Sequence, residues 1–120
     1  MNKNILVTGA AGFIGAALSN NLLKRGESII GLDNLNSYYD LNLKKKRLKN
    51  IIETSNNSSG SWQFEKCNIE DKDGLNKIFL NYKPKVVVNL AAQAGVRYSI
   101  INPHAYFESN LLGFGNILEE

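Results

Sequence analysis

Short apolar runs alternate along the chain with longer stretches of helical periodicity. Asn4-Ile-Leu-Val-Thr8 is a continuous run of the kind expected for a strand covered on both faces of a parallel sheet. From Phe13 to Arg25, Ile14, Ala17, Leu18 and Leu22 recur at helical spacing, and Gly26 stops the pattern. Ser28 to Asp33 reads as a second strand. Leu41 to Glu53 reads as a basic amphipathic helix with Leu48, Ile51 and Ile52 on one face, followed by a polar loop over 54–61. Trp62 to Cys67 alternates loosely and predicts a third strand. Gly74 to Tyr82 predicts a short helix that Pro84 prevents from continuing. Lys85 to Leu90, with Val86, Val87 and Val88, predicts a fourth buried strand, although with no fifth strand beside it Val86 to Leu90 would expose unpaired backbone and apolar surface. Asn102-Pro103 then offers an N-cap and a proline at the first helical position for a last helix running to Glu120.

Strand and helix alternate four times, without repeats or a linker, which indicates an α/β fold with helices on both faces of a parallel sheet. Right-handed crossovers give a doubly wound, Rossmann-like sheet of order 3-2-1-4, with the fourth strand beside the first. Ligands bind such sheets at the carboxyl ends of the strands, where the chain direction switches. Two local patterns fall at such ends. Gly9, Gly12 and Gly15 join the first strand to the first helix as G-x-x-G-x-x-G, a variant of the G-x-G-x-x-G turn that cradles a pyrophosphate. In that reading Gly9 permits the tight turn, Gly12 lets the backbone approach phosphate, and Gly15 lets helix pack on strand. The free N–H groups and dipole of the helix then favour the phosphate charge. Asp33, closing the second strand, is placed to accept from ribose hydroxyls and to repel a 2′-phosphate, which favours NAD over NADP. A structural glycine turn and a solvated aspartate are the competing readings.

Composition narrows the class without changing it. Hydrophobic residues make up 43% and charged residues 21% of the 120, as in globular rather than disordered chains. The net charge of +3 comes from one segment, because Lys44, Lys45, Lys46, Arg47 and Lys49 lie together and the remainder is net acidic. That run reads as the solvated face of the second helix rather than a 2′-phosphate clamp or a nucleic-acid surface. A single cysteine, Cys67, cannot pair internally and fits a reducing, cytoplasmic setting. No apolar run reaches the ~18–20 residues of a membrane-spanning helix. Gly9, Gly12 and Gly15 argue against reading Ile5 to Leu18 as a signal-peptide core. No Cys/His spacing suggests a metal site. His104, Tyr98 and Tyr106 read as capping or packing residues.

Three segments together resemble the extended short-chain dehydrogenase/reductases, and within them the NAD-dependent nucleotide-sugar epimerases. They are Val7 to Gly15, Gly31 to Asn36, and Asn89-Leu-Ala-Ala-Gln-Ala-Gly-Val-Arg-Tyr-Ser99, the last continuing into 102–106 and Ser109-Asn110. The third is most similar to UDP-glucuronate 4-epimerases, as is the Ser-Tyr-Tyr-Asp of 37–40. The resemblance implies that Gly9, Gly12, Phe13, Ile14 and Gly15 cradle the pyrophosphate, and that Asp33, Asn34 and Asn36 hold the adenosine ribose. It implies that Asn68 and Ile69 border adenine, that Leu90, Ala91, Ala92 and Gln93 line the cofactor, and that Asn110 lies towards the nicotinamide. Arg97 and Ser99 fall in the loop facing the UDP-sugar. Asn68 and Asn89 depart from residues common in the family, aspartate and histidine respectively.

The family reaction oxidises C4 of the sugar transiently and returns the hydride to the other face, with a Tyr-x-x-x-Lys pair as base. None of Tyr38, Tyr39, Tyr82, Tyr98 or Tyr106 has lysine four residues on, so no catalytic residue is assigned. The expectation is the N-terminal part, over 1–120, of an NAD-binding domain that is inactive alone. Its full-length relatives are expected to be homodimers. A 4,6-dehydratase or reductase fragment, and a non-catalytic nucleotide-binding or interaction module, are the alternatives.

Overall fold

The computed structural model describes residues 4–35, 41–91 and 114–120. The elements in chain order are β1 (Asn4–Thr8), α1 (Phe13–Lys24), β2 (Ser28–Asp33), α2 (Leu41–Asn56), β3 (Ser61–Lys66), α3 (Lys72–Tyr82), β4 (Val86–Asn89) and α4 (Phe114–Glu119). The four strands form one parallel sheet of order β3-β2-β1-β4. This is the doubly wound order expected from the crossover rule. Central β1 places Ile5 beside Ile29 on one neighbour and Val86 on the other, and Thr8 beside Leu32 and Asn89.

Alternation along the strands sends side chains to two cores. Ile5, Val7 and Ile29 meet Ala16 and Leu23 of α1 and Ile51 of α2 on one face. Leu6, Ile30 and Leu32 meet Leu75 and Ile78 of α3 and Ile117 of α4 on the other. Every residue of β2 is buried, its apolar interior between Ser28 and Asp33 being covered on both faces. At Gly31 the Trp62 ring of β3 lies so close over the backbone that a Cβ would run into it.

Helix boundaries shift from expectation for local reasons. α2 runs on through Thr54, whose hydroxyl donates to the Asn50 carbonyl at 3.1 Å, and ends at Asn56 rather than Glu53. Ile52 does not share the buried face with Ile51, being 49% exposed. α3 starts at Lys72 because Asp71 is its N-cap, accepting from Gly74 N–H at 3.0 Å. β4 is a strand, but not a buried one: as expected where no fifth strand covers its outer edge, it exposes apolar surface, with Val86 42% and Val87 36% exposed. The strand stands at the sheet edge with β1 as its sole paired neighbour among the described residues. Only Val88 packs onto a core. The expected helix start at Asn102-Pro103 lies outside the described residues, as do His104, Tyr98 and Tyr106. No helix among the described residues is long and apolar enough to cross a membrane.

One bond ties α3 to β3. Tyr82 donates to Glu65 Oε1 at 2.6 Å, and this bond, then partial burial, then the Glu65 charge push the phenol up from 10.0 to about 12. The bond's contribution is complete below the unfolded value of 10.0, where the phenol is protonated in both states, and is lost as pH rises towards about 12. Urea denaturation of the chain and Tyr82→Phe should therefore show a stability gap at about pH 8 that narrows by about pH 11. A gap of constant size would refute the assigned bond.

Candidate functional site at the carboxyl ends of the strands

The turn from β1 to α1 is built on the absence of side chains. Gly9 has φ +67°, and a Cβ there would stand 2.9 Å from the Leu90 carbonyl carbon and oxygen. Gly12 N–H donates to the Gly9 carbonyl at 3.0 Å, and a Cβ on Gly15 would overlap that same carbonyl oxygen. Gly15 thus closes the turn onto itself, whereas the sequence suggested contact between helix and strand. α1 then begins with no capping side chain and no acidic residue in its first turn. The first N–H groups of a helix have no intrahelical partner, so those of Phe13 and Ile14 are presented at an exposed helix end. An anion placed there meets donors and the positive end of the helix dipole.

Thr8 secures the neighbouring strand end. It is fully buried, and its hydroxyl accepts from Leu90 N–H at 2.9 Å and Ala91 N–H at 3.0 Å while donating to Asn89 Oδ1. Leu90 and Ala91 are thereby held across from Gly9. The residue sits inside the Val7 to Gly15 segment, yet nothing in its spacing signals this role.

Asp33 is buried and heavily engaged. Oδ2 accepts from Ala11 N–H at 3.1 Å, and Oδ1 accepts from Leu35 N–H at 2.8 Å and from Lys44 Nζ at 3.3 Å. A carboxylate has about four acceptor positions, so Oδ2 keeps one for a further donor. Arg47 donates to the Ala11 carbonyl at 3.3 Å and lies 5.9 Å from the centre of the Phe13 ring. The basic run is therefore divided. Lys45, Lys46 and Lys49 are exposed as expected, whereas Lys44 and Arg47 are turned to the glycine loop by the helical period.

Beside Asp33, Asn34, Lys66, Cys67, Asn68 and Asp71 line an open, polar depression of about 220 Å³. Asn68 is exposed there, while the Ile69 side chain is committed to the second core and its carbonyl accepts from buried Asn116 Nδ2 at 3.0 Å. Burial, then the Asp71, Glu65 and Glu70 carboxylates, push the Cys67 thiol up, so it is held protonated rather than as a nucleophile. Asn36, Ala92, Gln93, Arg97, Ser99 and Asn110 lie outside the described residues. Among the described residues no group of His, Cys, Asp and Glu could hold a metal.

This geometry has close counterparts in known proteins. The family described as GDP-mannose 4,6 dehydratase matches residues 6–120. The chain belongs to that family. It is 51% identical over 115 residues to Protein CapI of Staphylococcus aureus, covering 96% of this chain and 33% of that one. To UDP-glucuronate 4-epimerase 4 of Arabidopsis thaliana it is 47% identical, covering 96% of this chain and 25% of the relative. Among solved structures, the UDP-glucose 4-epimerase of Thermus thermophilus in complex with NAD is similar, with TM-score 0.75, 36% identity, and 97% and 32% of the two chains covered. The UDP-Glc/GlcNAc 4-epimerase of Campylobacter jejuni gives TM-score 0.83 at 27% identity, covering 98% and 33%. The resemblance to NAD-dependent epimerases of the short-chain dehydrogenase/reductase type is thus borne out, as is the Rossmann-like sheet. The chain spans a quarter to a third of the length of these curated relatives.

Within the family's glycine turn, Thr8 gives a direct test of how the site is held. Thr8→Val deprives the Leu90 and Ala91 N–H groups of their hydroxyl acceptor and should cost about 1–3 kcal/mol in urea denaturation. Thr8→Ser, which keeps the hydroxyl, should lose less. Equal losses for the two variants would contradict the assigned network.

Proposed function

We propose that this chain binds NAD and forms the cofactor-binding part of a nucleotide-sugar 4-epimerase acting on UDP-glucuronate or a close analogue. The supporting observation is the convergence of the uncapped α1 end, the Cβ-free turn and a buried aspartate with one acceptor position remaining. These features fit a dinucleotide. The N–H groups at Phe13 and Ile14 take the pyrophosphate, Gly12 lets the backbone approach it, and the lack of a Cβ at Gly9 and Gly15 keeps the turn tight beneath it. Asp33 Oδ2 accepts from a ribose hydroxyl, with Asn34 and Asn36 beside it. The adenine edge meets the polar depression, where the Asn68 amide oxygen accepts from the exocyclic amine. Leu90, Ala91, Ala92 and Gln93 line the path from β4 towards the nicotinamide, with Asn110 beyond, while Arg97 and Ser99 face the UDP-sugar.

When bound, NAD supplies a reversible hydride acceptor. Moving the C4 hydroxyl proton falls to a group that these 120 residues do not contain, because no tyrosine here is followed four positions on by lysine. The chain alone is therefore a binding unit. The family description favours a 4,6-dehydratase as the second reading, while relatives named as UDP-glucuronate 4-epimerases favour the first.

Calorimetric titration should give saturable one-to-one binding of NAD and weaker binding of NADP. A folded chain that takes up neither would overturn the proposal. With added NAD, UDP-glucuronate should not be epimerised by the 120-residue chain, and robust turnover would show that the missing base is present after all.

A further inference from the structure

Arg47 brings a second positive group to the glycine turn. α1 begins there with no capping side chain and no acidic residue in its first turn, and Phe13 and Ile14 are exposed. The positive end of the helix dipole is therefore uncompensated, and a cation is disfavoured beside it. α2 nevertheless places Arg47 there. Its Nη1 donates to the Ala11 carbonyl at 3.3 Å, and its Cζ lies 5.9 Å from the centre of the Phe13 ring. The carbonyl and the ring fix the guanidinium on the turn, but neither neutralises it. Among the described residues no carboxylate pairs with it, because Asp33 is bonded to Lys44, Ala11 and Leu35 instead. The remaining N–H donors of the guanidinium form a planar fork that matches two oxygens of one phosphate.

We propose that Arg47 is a ligand for the pyrophosphate of the bound dinucleotide, sharing it with the N–H groups that open α1. This rests on the proposed NAD binding and adds to it a binding residue contributed by α2. The pyrophosphate carries the negative charge that the turn and the guanidinium both lack, so two positive groups that repel one another in the free chain are joined by the ligand. A guanidinium already held by the Ala11 carbonyl and the Phe13 ring loses less freedom on binding than a free side chain does. Arg47 acts on the phosphates, and not on the adenosine.

The test is titration of NAD, ADP and adenosine into the 120-residue chain, Arg47→Met and Arg47→Lys, followed by backbone amide shifts. Lys46→Met, which removes an exposed charge from the same helix, is the control. Arg47→Met should weaken NAD and ADP by about tenfold or more, the size of one charge-assisted hydrogen bond, and adenosine by less than about twofold. Arg47→Lys keeps the charge without the fork and should fall between. Lys46→Met should change all three by less than about twofold, since an exposed charge is screened. Added NaCl should weaken NAD binding more steeply in the wild-type chain than in Arg47→Met. Should Arg47→Met lose its dispersed amide spectrum, Arg47→Gln, which can still donate to Ala11, carries the comparison. An NAD affinity unmoved by loss of Arg47, or adenosine weakened as much as NAD, overturns this proposal and leaves the NAD reading standing. Failure of the folded wild-type chain to bind NAD overturns both.

Discussion

The rest of the site depends on one close approach of backbone to backbone. Gly9 in its left-handed conformation lets the end of β1 pass so close to the end of β4 that a Cβ on it would stand 2.9 Å from the Leu90 carbonyl. A side chain there would meet both the steric penalty of positive φ, about 1–2 kcal/mol, and a collision with a neighbouring strand. Because the turn is this tight, α1 begins immediately beyond it with its end exposed. Thr8 fixes the end of β4 against the turn by accepting from the Leu90 and Ala91 N–H groups. The exposed donors at the start of α1 thus follow from a packing constraint.

A second layer is electrostatic. Removing a carboxylate from water is costly unless its oxygens find donors, and Asp33 finds them on the glycine turn, on the residue after Asn34 and on α2. The same side chain therefore joins three elements and keeps one acceptor position for a ligand. Lys44 and Arg47 bring α2 to the turn from the other side. Their arrangement splits the basic segment, two of its cations engaging Asp33 and the glycine turn while Lys45, Lys46 and Lys49 are exposed.

Much of this was legible in the sequence, and the exceptions have physical causes. β1 and β2 are bounded as expected, because the interior of a strand buried on both faces is apolar, as Ile5 to Val7 and Ile29 to Leu32 are. The order of the sheet followed from handedness. Val86 and Val87 read as core by composition but stand exposed, because apolar composition records a preference for burial, and only the missing fifth strand signals that no neighbour supplies it. The run 44–49 looked uniform in sequence, but successive helical residues turn by about 100°, which separates buried Lys44 from exposed Lys45. Thr8 carries no signal because a hydroxyl at a strand end is satisfied only by a partner distant in sequence, here Leu90. The earlier start of α3 has a similar origin, since polar Lys72 and Asp73 conceal the first turn that Asp71 caps.

The end of α1 and the carboxyl end of β2 together receive a dinucleotide in this account. Backbone amide chemical shifts during an NAD titration test that most directly. The amides of Phe13 and Ile14 should shift and saturate in step with those of Ala11 and Leu35, which lie on either side of Asp33 in its hydrogen-bond network. Saturable shifts confined to other surfaces, with these four amides unmoved, would contradict it.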